Sequence, residues 1–139
     1  RADGIGNDLT VVFSPAVVGD SFTVSTTGYL TTGVVVGEKV QLVCEVTLTG
    51  MAASASNSFL KSIEIYNQFN GSSSSGWTAK PQGANATTYP NSDMTLTIVS
   101  PEFTIPIGTT GVGLQMVFTS AVATGSLTVK VGRLSLDRL

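Results

Sequence analysis

From Lys39 to Thr49 the chain reads KVQLVCEVTLT, with apolar and polar positions in alternation. Val40, Leu42, Cys44, Val46 and Leu48 fall on one side. Lys39, Gln41, Val43, Glu45, Thr47 and Thr49 fall on the other. Successive side chains of a strand point to opposite faces, so this period of two predicts a strand with one apolar and one mostly polar face. Such a strand belongs to an antiparallel sheet that rests on a core and keeps its other face wet. The alternation recurs with Phe22 and Val24, with Met94, Leu96 and Ile98, with Val112, Leu114, Met116 and Phe118, and with Leu127, Val129 and Val131. Leu9 to Phe13 is a short first strand stopped by Ser14-Pro15, with Ala16 to Val18 as a candidate continuation.

One segment fits two periods. In Phe59 to Phe69, Ile63 and Ile65 alternate with Ser62, Glu64 and Tyr66, whereas Phe59, Leu60 and Ile63 fit a helical stripe. The β-branched pair and the surrounding strands favour a strand. Between the periodic runs lie turn signals. Gly19-Asp20 is one, Tyr29-Leu30 lies in a turn-rich stretch as a candidate bridge, and Gly33 to Gly37 reads as a connection. Phe103 to Pro106 is a short extended piece, Ala123 to Ser126 reads as a hairpin turn, and Gly132 breaks the last run before RLSLDRL. Residues 51–58, MAASASNS, read as a loop, with a helical turn as the alternative. Residues 70–93 are the longest polar stretch, and a loop of that length in a compact domain is functional or disordered. Residues 1–8 read as a linker or N-terminal arm, and 9–139 as a single domain. Roughly eight to ten strands with turns between them and no helix are the signature of an all-β sandwich or barrel. The alternation supports two antiparallel sheets with their apolar faces together.

Composition narrows the function classes. At 139 residues there is enough chain for one core. Only 12% of residues are charged, about half the usual share, so Ser, Thr, Gly and Asn supply the polar surface. Net charge is −2 with no basic run, which argues against a nucleic-acid partner. No apolar run approaches the ~20 residues of a membrane-spanning helix, and no membrane insertion is expected. The absence of histidine removes the commonest general base and zinc ligand. The one cysteine, Cys44, has no disulfide partner in the chain and reads as a small buried hydrophobe. The sequence opens at Arg1 without a signal-peptide pattern and reads as a fragment or processed product of something longer.

No catalytic, cofactor or metal site is expected. Glycoside hydrolysis needs two carboxylates across one bond. The nine acids sit mostly at turns or on outward strand positions, and only a cluster of Asp20, Glu64 or Asp93 in a cleft would revive an enzyme. Asn91-Ser92-Asp93 and Gly6-Asn7-Asp8 are candidates for a calcium ion or, equally, for Asx-type turns. The aromatics near the long polar stretch carry more. Tyr66, Trp77 and Tyr89 lie beside Asn67, Gln68, Asn70, Gln82, Asn85 and Asn91. A ring against the C–H face of a sugar, with neutral amides reading its hydroxyls, is one use of that set. Tyr66, Asn67, Trp77, Asn85 and Tyr89 are therefore candidate ligand contacts. The competing reading has Trp77 packed back on the sandwich edge to pin its own loop. Asn70-Gly71-Ser72 and Asn85-Ala86-Thr87 match a glycosylation sequon at a frequency expected of such a composition. Val43, Val99 and Val117 lie on the otherwise polar sides of their strands, either as a subunit interface or as singly exposed valines.

The segment Phe103-Thr104-Ile105-Pro106-Ile107-Gly108-Thr109-Thr110-Gly111-Val112-Gly113-Leu114, followed by Gly125-Ser126-Leu127-Thr128-Val129-Lys130-Val131-Gly132-Arg133-Leu134-Ser135-Leu136, resembles a recurrent jelly-roll pattern. It is similar to jelly-roll modules of carbohydrate-binding domains and to β-sandwich domains of bacteriophage tail fibres, tailspikes and head decorations. The resemblance covers about a third of the chain. It implies an antiparallel jelly-roll β-sandwich and a non-enzymatic structural or attachment module of a virion. It also implies a homotrimer within a larger parent chain, meeting a cell-surface carbohydrate. The alternative it implies is a carbohydrate-binding module of a secreted bacterial enzyme or adhesin.

Overall fold

A computed structural model describes residues 3–5, 9–25, 30–53, 58–70, 72–78, 89 and 91–139, with the backbone alone at 3–5, 72–78 and 133. Ten strands form among the described residues: β1 Asp3–Ile5, β2 Leu9–Phe13, β3 Ser21–Ser25, β4 Lys39–Thr49, β5 Leu60–Phe69, β6 Ser72–Thr78, β7 Met94–Val99, β8 Phe103–Thr104, β9 Val112–Ser120 and β10 Leu127–Arg138. No helix occurs among the described residues.

The strands divide into two antiparallel sheets. Sheet A runs β1-β10-β4-β7, with β2 also on β10 and β8 also on β4. Sheet B runs β3-β9-β5-β6. With the short β1 and β8 set aside, the chain visits A, B, A, B, B, A, B, A as it passes from β2 to β10. Almost every connection therefore crosses between the sheets, and β5–β6 is the one hairpin among these eight strands. Eight strands wound this way into two four-stranded sheets are a jelly roll. The alternating apolar sides meet in the middle: Leu42, Cys44, Val46 and Leu48 from β4 face Ile63, Ile65, Leu114, Met116 and Phe118 from sheet B, all buried. Phe13 of sheet A stacks on Phe22 of sheet B at 5.2 Å and meets Phe59 edge-on at 5.9 Å, while Phe69 meets Phe103 at 5.3 Å. These ring pairs tie the two sheets together, and each adds about 0.5–1.5 kcal/mol beyond its buried area.

Several expectations are corrected. Ala123–Ser126 is not a hairpin turn, because β9 and β10 lie in different sheets. Its Gly125 has φ 85° and carries the chain across the sandwich. Ala16–Val18 do not extend β2. They form a turn in which Asp20 Oδ2 accepts the N–H groups of Ala16 and Val17 at 2.7 and 3.1 Å. Within residues 1–8, Asp3–Ile5 pair with Leu134–Leu136 of β10, which makes that part of the N-terminal arm a strand. The stretch 70–93 is not wholly a loop, since Ser72–Thr78 form β6 against β5.

Gly132 does not end the last strand. β10 continues through a bulge between Val131 and Leu134, opposite Val46 and Cys44. A Cβ at Gly132 would stand 3.2 Å from the Glu45 carbonyl oxygen, so the glycine lets β4 approach closely there. The bulge shifts the phase. Odd positions Leu127, Val129 and Val131 are buried before it, and even positions Leu134 and Leu136 after it. The same device resolves the ambiguity in β5. A register shift between Leu60 and Ser62 places Leu60 and Ile63 on one side although they are three residues apart. The helix-like spacing is thus a bulge in a strand.

Candidate functional site

The outer face of sheet B is assembled from three cross-strand rows. Thr23, Val117, Glu64 and Thr78 form one; Ser25, Gln115, Tyr66 and Gly76 the next; Gly113, Gln68 and Ser73 the last. These positions alternate with the buried Val24, Ile65, Leu114 and Met116, which sends the row residues of β3, β5 and β9 outward. Among the described side chains, the rows of β3, β5 and β9 carry hydroxyls, amides, one ring and one acid. Tyr66 is half-buried, and its hydroxyl donates to Glu64 Oε2 at 2.9 Å. Two residues apart on one strand face, they stand as neighbours. That hydrogen bond, and then the negative charge of Glu64, holds the Tyr66 phenol above its ordinary pKa.

Gln68 lies two residues beyond Tyr66 on the same strand and has 6% of its surface exposed. Its Oε1 is enclosed and accepts no hydrogen bond. A buried carbonyl oxygen left without a donor costs about 1–3 kcal/mol, so few are tolerated and each calls for a reason.

The other sequence-predicted contacts fall elsewhere. Asn67 is buried on the opposite, inner side of β5. Tyr89 is buried as well, and its hydroxyl oxygen accepts the Ile63 N–H at 3.1 Å. Burial raises the Tyr89 phenol pKa. Both residues are corrected from surface contacts to parts of the interior: the inner side of β5 is the core side, and Tyr89 satisfies a strand N–H there. The Trp77 backbone is in register with Ile65, and its side chain lies outside what the structure describes. Asn85 lies outside the described residues. Of the five predicted contacts, Tyr66 alone is shown with its side chain on an open face. Gln68 is the residue that sequence reasoning undervalued. The alternation of β5 was the available signal, for it pairs Tyr66 with Gln68 and sets Asn67 apart.

The three outward valines do not form one patch. Val43 and Val99 are in register on sheet A, whereas Val117 stands on sheet B. Val43 is 5% exposed and offers no open surface, which corrects its reading as an exposed position, while Val99 is 45% exposed.

Several of the described acids hold structure. Asp93 Oδ1 accepts the N–H groups of Gly50 and Met51 at 2.7 and 3.1 Å, so it ties the start of β7 to the end of β4 across more than forty residues and does not make a local Asx turn. Glu38 pairs with Arg138 at 2.8 Å, and Glu102 with Lys39 at 3.4 Å. Among the described residues no three His, Cys, Asp or Glu side chains gather as a metal set. Asn70 adopts φ 52°, a left-handed conformation that asparagine tolerates. Its Oδ1 accepts the N–H groups of Thr110 and Gly111 at 2.8 and 3.0 Å, and its Nδ2 donates to the Gly108 carbonyl at 2.9 Å. The amide nitrogen of that sequon is therefore engaged in a turn. The thiol of Cys44 is buried, and burial, with the Glu45 charge second, pushes its pKa up to about 12. It is protonated at neutral pH and is a poor nucleophile.

No protein-family model matches the chain, and no curated protein matches it. Among solved structures, the C-terminal domain of EclA, a sugar-binding protein, is similar at 11% identity and a TM-score of 0.39, over 96% of this chain and 80% of that one. The VP2 subviral particle of infectious bursal disease virus is 13% identical with a TM-score of 0.43, over 96% of this chain and 37% of that one. The enzymatically active domain of tailspike protein 4 from bacteriophage CBA120 is 13% identical with a TM-score of 0.37, over 98% of this chain and 19% of that one.

Proposed function

We propose that this chain is a non-enzymatic structural and attachment module of a phage or similar virus particle that meets a cell-surface glycan through the outer face of sheet B. The observation that carries the reading is the make-up of that face. Tyr66, anchored to Glu64, stands in a row with Ser25 and Gln115, beside a row holding Thr23 and Thr78. A ring among neutral hydrogen-bonding groups suits a ligand with both C–H surfaces and hydroxyls. The jelly roll adds a prior only, since viral capsid and lectin domains both use it and fold alone does not fix function. The acids bear on the enzyme question in the same direction: Asp20, Asp93, Glu38 and Glu64 each have a structural partner. The exposed Val99 supports a subunit contact on sheet A, as a homotrimer in a virion would provide.

The second reading is a carbohydrate-binding module of a secreted bacterial enzyme or adhesin. It is favoured by the separation of Val43 and Val99 from Val117 onto different sheets, which removes the single apolar patch a trimer would share. Light scattering behind a sizing column separates the two. A mass near three times 14.3 kDa supports the virion module, and a monomer supports the appended module. A glycan array tests what the readings share, and a folded protein that binds no oligosaccharide on it overturns glycan attachment.

A further inference from the structure

We propose that Tyr66 and Gln68 form a subsite for a neutral sugar, in which a sugar hydroxyl donates to Gln68 Oε1 and the C–H face of the ring lies on Tyr66. This deepens the glycan-attachment reading and rests on it. Four observations meet at this place. Gln68 is more than nine-tenths buried, and its Oε1 accepts no hydrogen bond. The missing partner is a donor, which a sugar hydroxyl supplies. Next, the residues directly across from the pair are glycines: Gly76 on β6 faces Tyr66, and Gly113 on β9 faces Gln68. Glycine inside a strand marks a bulge or the close approach of a ligand or backbone. Neither glycine adds a side chain beside Tyr66 or Gln68, though Gly113 is itself buried along with Gln68.

The third observation is the register. Tyr66 pairs with Gly76 but Gln68 with Ser73, so β6 carries one extra residue between the two. Bulges of this kind re-aim side chains and occur beside functional sites. The fourth is charge. Glu64 is the one ionisable carboxylate or cation among the three rows, and it accepts the Tyr66 hydroxyl. An acidic sugar would meet that carboxylate with no cation in the rows to offset it, which selects a neutral one. The terminal torsion of a glutamine is broad, so the amide oxygen turns toward an arriving hydroxyl without leaving its strand position.

The test begins with the folded chain on an array of neutral and acidic oligosaccharides. The tightest-binding oligosaccharide is then titrated by calorimetry into the wild type, Gln68→Leu, Gln68→Met, Tyr66→Ala and, on the other sheet, Thr97→Ala. Each variant is also melted. The expected array hit is a neutral oligosaccharide. Both Gln68 variants should melt at or above the wild-type temperature, because the orphaned oxygen is gone, yet bind at least about tenfold more weakly. Tyr66→Ala should weaken binding to a similar degree, and Thr97→Ala should bind as the wild type. If the leucine variant fails to fold, the near-isosteric methionine variant decides. Wild-type affinity in the folded Gln68 variants, or a hit confined to acidic sugars, overturns this subsite while glycan attachment stands. A wild-type chain that binds nothing on the array overturns both.

Discussion

The two outer faces of the sandwich come from the same alternation and end up chemically different. On sheet A, Thr47 and Thr95 share a hydroxyl contact at 3.2 Å, and Glu45, Thr97 and Lys130 are exposed. Yet Val43 and Ser135, paired in register and both on the outward side, are buried. On sheet B the outward positions of β3, β5 and β9 present hydroxyls, Glu64, Tyr66 and the enclosed Gln68. One face joins a covered apolar position to an exposed Val99. Each face also encloses a side-chain oxygen that makes no hydrogen bond, Ser135 Oγ on sheet A and Gln68 Oε1 on sheet B, but on sheet B it stands on the same strand face as an anchored ring. The difference teaches that parity decides which side a residue takes, whereas what lies over that side decides whether it meets water.

The harshest way to break the comparison is to remove what both faces stand on. Phe118 is fully buried and lies 5.9 Å from the Phe22 ring. Phe118→Ala should lower stability by about 3–5 kcal/mol in urea unfolding. Both sheets should be lost in one transition, and a surviving signal from sheet A alone would show that the faces are independent.

Gly50→Ala attacks the sheet A side. Gly50 has φ 99°, and a Cβ there would stand 2.6 Å from the Ser126 carbonyl oxygen. The combined strain and overlap should remove about 2–4 kcal/mol. If the site on sheet B is separate, oligosaccharide affinity of the folded fraction should stay unchanged in calorimetry.

Asn70→Ala is the matching change at the end of β5, two residues past Gln68. It deletes the contacts to Gly108, Thr110 and Gly111 and places alanine at φ 52°. A loss of about 1–2 kcal/mol is expected, with part of it restored in Asn70→Gly, which tolerates the backbone. Thermal melts of the two variants check the order.

Cys44 gives sheet A a pH signature of its own, apart from the raised Tyr66 phenol on sheet B. The folded thiol holds its proton up to about 12, whereas in the unfolded chain it ionises near about 8.5. Rising pH therefore releases a proton from the unfolded state first. Its contribution to stability is fully present below about pH 8.5 and declines as pH rises toward the folded value. Relative to Cys44→Val, the wild type should lose up to about 1.4 kcal/mol per pH unit across that window, read by urea titrations at successive pH values.

The smallest effect is expected at Val99→Thr. For an isolated chain the stability change should lie within about 0.5 kcal/mol. A larger, concentration-dependent loss in analytical ultracentrifugation would instead mark sheet A as a subunit contact.

Much of this architecture was legible from the chain. The period of two in β4, β7 and β9 sets both their strand state and their inward residues, because alternation is a property of neighbouring residues. The bulges left a readable trace too, in the three-residue spacing of Val131 and Leu134 and of Leu60 and Ile63. The site was half legible. Tyr66 was named on its chemistry, whereas Gln68 was only one of the neighbouring amides, although the alternation of β5 sets it on the same side; Asn67 and Tyr89 were placed on the surface because polar groups in a polar stretch look exposed.

What the sequence alone determined is therefore local: which segments are strands, which side chains turn inward, and the absence of histidine and of any second cysteine. The tertiary structure decided everything that depends on residues far apart in the chain. It separated β9 from β10 across the turn at Gly125, brought Ile63 under the Tyr89 hydroxyl, covered Val43 and left Val99 open. It also set Gly76 and Gly113 beside Tyr66 and Gln68. The physical reason is range. Alternation is fixed by the geometry of successive peptide units, whereas strand neighbours and the cover over an outward residue come from contacts between distant segments, whose free energy no short window of sequence contains.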